Sequence, residues 1–504
     1  MNETTEKLLS RLNRLELERR AYSHAMNLLS YYAVTGAPAG GAANRGKTMA
    51  VLSEAAYELS AGDKTGELLK DLLEIKDELD EVKQRQLSEL WREYEKTKKI
   101  PMDEYIAYTV LLNEASDVWH KAKEKSDYEL FEPLLSRIVE TNRRFAGYID
   151  PSKQPYDVLL GEFERGLDMQ RCDEFFSVLK ERLVPLIHKI RDKGVQPDTS
   201  FLSLEYPVDK QRQLSDWLMQ LIGIDRNYCT IGETEHPFTS NFNKRDVRIT
   251  THYYPSNLTS SMFSVIHEGG HALYELNVGD ELEDTCLCGG VSMGIHESQS
   301  RLFENLIGRS LPFAEKVLPK LKELFPEQLG KVTAEEFYRA INKSEPSLVR
   351  IEADELTYAL HVMIRYEIEK MLIQDGIDTK TLPQLWNQKV RDYLGIEVTD
   401  DAHGVLQDSH WSGGAIGYFP SYALGSAYGA QIMAKMKESI DVDAAVAVGD
   451  LSPVNKWLTE RIWSKGCLYD PKELLEQCCE APFDPKYFTD YLTEKYSKLY
   501  GIED

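Results

Sequence analysis

The residues of this 504-residue chain with the clearest chemical potential are His267 and His271, with Glu268 beside the first, in SVIHEGGHALYEL. Four positions apart on a helix, the two imidazoles share one face, one turn apart. That is the spacing with which two histidines grip a single tetrahedral cation. Glu268 projects beside the same face, within reach of a water held by such a cation. The pattern is the HExxH signature of zinc peptidases. With 11 histidines in the chain and glutamate at roughly a tenth of positions, chance supplies it in on the order of one to three such chains per hundred. Its context therefore matters. Val265, Ile266, Ala272 and Leu273 are apolar, as expected of a helix buried under a cleft. Gly269 and Gly270 each cost about 1 kcal/mol in a helix interior, which implies close approach of another element or of substrate.

A two-histidine site needs a third protein ligand and an open position. The residues after His271, ALYELNVGD, lack the Gly and His of metzincin spacing. A carboxylate from a second helix is the alternative source. MGIHESQSRLFENLIG (293–308) offers Glu297 in an apolar-periodic segment; Glu304, by pattern a helix-face residue, and Glu283, in an acidic loop, are rivals. Glu297 is selected, because a His₂Glu set is a known zinc-peptidase arrangement. The same donors also accept Co²⁺ or Mn²⁺.

Positioning these groups requires a scaffold, and its pattern is mostly helical. The exception is DVRITTHYY from Asp246, where Val247, Ile249, Thr251 and Tyr253 alternate with Arg248, Thr250, His252 and Tyr254. This β-branched, aromatic run predicts a strand. PSNLTSS then supplies turn and N-cap residues for a helix starting near Ser260. Residues 66–98 carry Leu69, Leu72, Leu73, Ile75 and Leu79 at helical spacing, a solvated hairpin packed on the body. TGAPAGGAANRG (35–46) reads as a loop, and 404–425 as a Gly- and aromatic-rich interruption. With no repeat or low-complexity linker, the expectation is a mainly α fold with a small β-sheet beside the HExxH helix. Residues 1–504 are expected to form a single domain: a helical subregion (1–200), a core carrying the motifs (230–425) and C-terminal helices (426–504).

Composition narrows the partners. Net charge is −24, from 59 Lys+Arg against 83 Asp+Glu, and such a surface repels phosphate backbones and anionic lipid. Nucleic acid and membrane are accordingly not expected. The polar N-terminus does not read as a signal peptide. Seven cysteines, an odd number, read as reduced thiols in a cytoplasmic protein, Cys286 and Cys288 included.

Further motifs run in order along the C-terminal half: His236-Pro237-Phe238, the DxRxT of Asp246–Thr250, the HExxH, and His296-Glu297-Ser298-Gln299. Val349–Asp354 (VRIEAD) and Gly404–Trp411 (GVLQDSHW) follow. With these the chain resembles the thermostable Taq-type metallocarboxypeptidase family. One departure is Tyr31-Tyr32, where family members often carry Trp-Asp. The resemblance implies a gluzincin-like helical fold with a deep groove, one Zn²⁺ per chain, a homodimer, and removal of C-terminal residues from peptides with a free C-terminus.

On that reading His267, His271 and Glu297 hold zinc, and Glu268 is the general base that passes a proton from water to the leaving amine. The oxyanion formed on attack needs a second donor, for which His410 (QDSHW) and Tyr418 or Tyr422 (GYFPSY) are candidates. A carboxylate reader is best an arginine, whose planar fork binds bidentately. Arg350 is the first choice and Arg248 the second, with ion pairs to Glu352 or Asp246 as the bland alternatives. His236 is a candidate lining residue, and Glu275, Asp354 and Asp408 are candidates for orienting the imidazoles. Two rival functions are a zinc endo-oligopeptidase, which needs no carboxylate-reading arginine, and a catalytically inactive helical binding protein.

Overall fold

The structure, a computed structural model, describes residues 3–502. Strong helix formers dominate the N-terminal third, which forms a layer of long helices. Helix α1 (Glu3–Thr35) is about 50 Å long at 1.5 Å per residue. It packs with α2 (Ala42–Ala61), α3 (Asp63–Leu73) and α4 (Glu81–Lys99). Leu12, Leu15, Leu69, Leu72, Leu87 and Leu90 make a small core between α1, α3 and α4. The expected hairpin over 66–98 is thus α3 and α4, and it lies on the body as anticipated.

The loop expected over 35–46 is shorter than that. Only 36–38 lie outside helical turns, and α2 already starts at Ala42, because AANRGKTMA is dominated by good helix formers once Pro38 has turned the chain. Buried Glu16 of α1 ties this layer to the rest: its Oε1 accepts from Gln86 Nε2 at 2.7 Å and from the Cys286 N–H at 2.8 Å.

The larger core begins near Leu111 and extends to Ile502. Set into it is a three-stranded sheet, ordered β1 (Cys229–Glu233), β3 (Asp246–Thr251), β2 (Thr239–Asn243). β1 runs parallel to β3, with Ile231 opposite Ile249, and β2 runs antiparallel to it. The predicted strand is central β3, and Val247 and Ile249 are fully buried. It stops at Thr251 rather than Tyr254, because the chain turns at Pro255. β1 and β2 escaped the sequence reading, since neither CTIGE nor TSNFN alternates cleanly.

Against β3 packs the helix Leu258–Leu276, which carries the HExxH motif and is capped by the Asn257 side chain accepting from Ser260 N at 3.1 Å. The helix Met293–Arg301 carries Glu297 and is capped by Ser292. It runs on into a π-helical turn over Leu302–Ile307, a distortion that often marks a functional site. The helix Pro420–Lys437 lies against it. Among the described residues no helix is long and apolar enough to cross a membrane.

Candidate metal centre

The two glycines of HExxH are explained by close approach. A Cβ on Gly269 would overlap Ile222, and one on Gly270 would lie 2.7 Å from Gln299 O and Ser300 Cα. The first ligand helix therefore reaches the backbone of the second. Gly425 does the same from the other side, where a Cβ would lie 2.5 Å from Glu297 Cβ. Glu297 is clamped between two helices that only glycines let come so near.

The outcome is a convergent donor set. Ligand atoms of His267, His271 and Glu297 all lie within 4.8 Å of one another. Glu297 Oε2 is 3.7 Å from His267 Nε2 and 3.4 Å from His271 Nε2. The far nitrogens are anchored: His267 Nδ1 lies 2.8 Å from Glu304 Oε2, and His271 Nδ1 lies 2.6 Å from His296 Nδ1. His296 Nε2 in turn meets Glu275 Oε1 at 2.7 Å. Anchored Nδ1 atoms turn both Nε2 atoms toward the Glu297 carboxylate. Two imidazoles and a carboxylate, with Glu304 behind one imidazole and His296 behind the other, fit a divalent cation of the zinc type.

Electrostatics agree with that fit. Burial alone would raise Glu297, but Arg301, whose Nε donates to Glu297 Oε1 at 2.7 Å, and the two histidines hold its carboxyl well below the usual range. Glu304 behaves alike: burial is outweighed by Arg301, His267 and Arg309, and the group is drawn down to about 2. His271 is lowered to about 4, chiefly by burial, so its imidazole is a neutral donor. His267 is raised, because Glu297 and Glu304 together overcome the opposing effect of burial.

Glu268 is buried, and burial raises its carboxyl. Its Oε2 accepts from Thr239 Oγ1 at 2.6 Å. Thr239 opens β2, directly after the His236-Pro237-Phe238 motif. That adjacency was the one sequence signal that could have found it. Glu304, expected on a helix face, instead lies half-buried behind His267, in the π-helical turn. Of the residues expected to orient the imidazoles, Glu275 acts at one remove through His296. Asp354 instead caps the helix Glu355–Lys370, and Asp408 pairs with arginines.

Those arginines form a second cluster. Arg350 is buried, its Nε and Nη2 donating to Asp408 Oδ1 at 3.0 and 2.8 Å and its Nη1 to Tyr358 Oη at 2.8 Å. Arg365, which the sequence reading missed, is fully buried and donates to Asp408 Oδ2 at 2.6 Å. Two guanidinium groups share one carboxylate. The alternative ion pair of Arg350 with Glu352 is not formed; Arg350 pairs with a partner 58 residues on.

His410 Nε2 lies 3.2 Å from Tyr422 Oη, and its ring stacks on Tyr418 at a centroid distance of 5.6 Å and lies tilted against Phe419 at 4.5 Å. Burial lowers His410 to about 4 and raises Tyr418 to about 12. Tyr422 is raised beyond that, again by burial. All three are neutral groups at neutral pH.

Two expectations fare less well geometrically. Arg248 is held bidentately by Asp246 at 2.8 Å, beneath Tyr31 and Phe242. The ion pair is the bland alternative, and Tyr31 of the Tyr31-Tyr32 departure lies at this contact. His236 is exposed in the turn between β1 and β2, and its recorded contact is through its backbone carbonyl. Sequence spacing could not distinguish a strand face that meets α1 from one that meets a cleft.

Comparison with known proteins shows the family. A family model described as carboxypeptidase Taq (M32) metallopeptidase matches residues 11–496. The chain is 42% identical over 480 residues to Carboxypeptidase 1 of Bacillus subtilis (strain 168), covering 95% of this chain and 96% of that protein. It is 36% identical over 509 residues to Thermostable carboxypeptidase 1 of Thermus thermophilus, covering 97% and 98%. Among solved structures, the M32 carboxypeptidase from Deinococcus radiodurans R1 superposes with a TM-score of 0.96 at 31% identity, over 98% of this chain and 100% of that one.

Proposed function

The chain belongs to the carboxypeptidase Taq (M32) metallopeptidase family and is a metallocarboxypeptidase, and we propose that zinc, held by His267, His271 and Glu297, is its metal. The observation that carries this reading is the convergence of those three donors from two helices, with Glu304 and His296 behind them. Bound there, a zinc ion supplies Lewis acidity to a peptide carbonyl and acidifies water in contact with it.

The chain's own residues do the rest. Thr239 occupies Glu268 Oε2, which leaves Oε1 to take a proton from the attacking water and deliver it to the departing amine nitrogen. A carboxyl raised by burial suits both halves of that exchange. His410 and the Tyr418–Tyr422 pair, neutral at neutral pH, donate to the oxyanion.

Arg350 reads the substrate's terminal carboxylate. It spends three N–H groups on Asp408 and Tyr358, and a guanidinium has five. With Arg365 beside it, one positive charge in the cluster lacks a carboxylate. Arg248 and His236 are supported by the resemblance but not by their contacts, and Arg350 is the better-supported reader. The resemblance also supports a cytoplasmic homodimer, which sedimentation of the purified chain tests.

The decisive experiment compares a peptide with its C-terminally amidated twin. Free-acid peptide is shortened residue by residue, and the amide resists. Equal turnover of both would replace this reading with an endo-oligopeptidase, while lack of stoichiometric metal would point to an inactive binding protein.

A further inference from the structure

Away from the metal centre lies a cavity of about 470 Å³, within the size range of small-molecule sites. Phe175 and Val178 from the helix Met169–Lys193, Leu424 and Tyr428 from the helix Pro420–Lys437, Leu475 and Phe483 give it apolar walls, and charged side chains of both signs, Arg171 and Glu174 among them, line it as well. Phe483 packs edge-on to Tyr428 at 4.9 Å between ring centroids. Of the carboxyls that line the cavity, Glu164 is the buried one, 2% exposed. Its Oε2 accepts from the Gly294 N–H at 2.9 Å, in the first turn of the second ligand helix. Its Oε1 has no hydrogen-bond partner.

A buried carboxylate oxygen without a donor is costly, and a buried charge is stabilised by pairing with an opposite one. We propose that this cavity is a second ligand site, which takes a small apolar primary amine whose ammonium donates to Glu164 Oε1. The terminal carboxyl torsion of glutamate is broad and soft, so Oε1 turns toward an incoming ammonium while the Phe175 and Phe483 rings cover its apolar body. Burial raises Glu164 to about 7, opposed by the Gly294 N–H and the nearby Ser292 and Tyr428 side chains. An ammonium ion beside the group favours its charged form. Nothing in this site depends on the peptidase chemistry.

The test is calorimetric titration of the metal-loaded full chain at pH 8 with three probes of one skeleton: 2-phenylethylamine, 2-phenylethanol and 3-phenylpropionate. The amine is expected to bind at one site per chain, at least tenfold more tightly than the alcohol, with no binding of the carboxylate. Glu164→Gln, which keeps an acceptor for Gly294, and Val178→Phe, which fills the cavity without touching the carboxyl, are each expected to weaken the amine at least tenfold. Absence of amine binding overturns the proposal. So does equal affinity for amine and alcohol, a comparison that needs no variant. Undiminished binding in folded Glu164→Gln or Val178→Phe protein also overturns it, because the amine then sits elsewhere.

Discussion

The metal centre and the arginine cluster are both buried assemblies of charge, and they are imbalanced in opposite senses. Around His267 and His271 stand the carboxylates of Glu268, Glu297 and Glu304, with Arg301 as the closest cation. Around Asp408 stand Arg350 and Arg365. An unpaired buried charge is expensive, so each imbalance indicates the ligand that completes it. The first lacks a cation and the second an anion. His361 reports the positive field of the second cluster: it is lowered to about 3 by burial and then by Arg365 and Arg350. On the proposed function a peptidase that reads a terminal carboxylate needs both, one cluster for cutting and one for choosing the end.

Breaking the negative cluster should cost most. Glu297→Ala is expected to lose stoichiometric metal and on the order of 10⁴-fold in kcat/KM, checked by elemental analysis beside peptide assays. Full activity with bound metal would remove Glu297 from the ligand set. Glu268→Gln should keep the metal while kcat falls on the order of 10³-fold. A change confined to KM would move the general base elsewhere.

The positive cluster is probed by Arg350→Lys, which keeps charge but loses the planar fork. About 100-fold loss in kcat/KM on free-acid peptides is expected, with the residual rate on amidated peptides unchanged. A parallel loss on both would make Arg350 a packing residue.

The smallest effect sharpens the comparison from behind. Glu304→Gln should weaken metal affinity roughly 10-fold to 100-fold through His267, measured by competition with a chelator. It should also alter acid stability. A carboxyl held at about 2 in the folded chain adds stability above the ordinary carboxylate range, and that stability is lost as pH falls through 2. Acid titration of the chelated protein, followed by circular dichroism, should show this loss in the native chain and not in Glu304→Gln. Identical curves would mean that Glu304 is unpaired in solution.

The two clusters also differ in how far they were readable in advance. His267, Glu268 and His271 are local, set by the 3.6-residue period of one helix. Glu297 was found through the chemistry of a third ligand. Glu304 was misread as a face residue, because a regular helical wheel puts it there and a π-helical turn cannot be seen in residue types. The arginine cluster was half legible. Arg350 stood out by type and motif, yet its partner Asp408 and neighbour Arg365 come from distant segments. Arg248 shows the converse: its local pairing with Asp246 was foreseen, and its burial under Tyr31 was not. β3 was legible from its alternation, β1 and β2 were not, and the supposed loop at 35–46 is largely helix.

The sequence by itself determined the helical scaffold, the central strand, the family and the three groups on one helix face, because periodicity and spacing act over a few residues. Only the tertiary structure decided which carboxylates stand behind the imidazoles, which arginines share Asp408, and how closely the ligand helices meet at Gly270 and Gly425. Those depend on side chains far apart in the chain arriving in one low-dielectric interior, where charge pairing is chosen by packing.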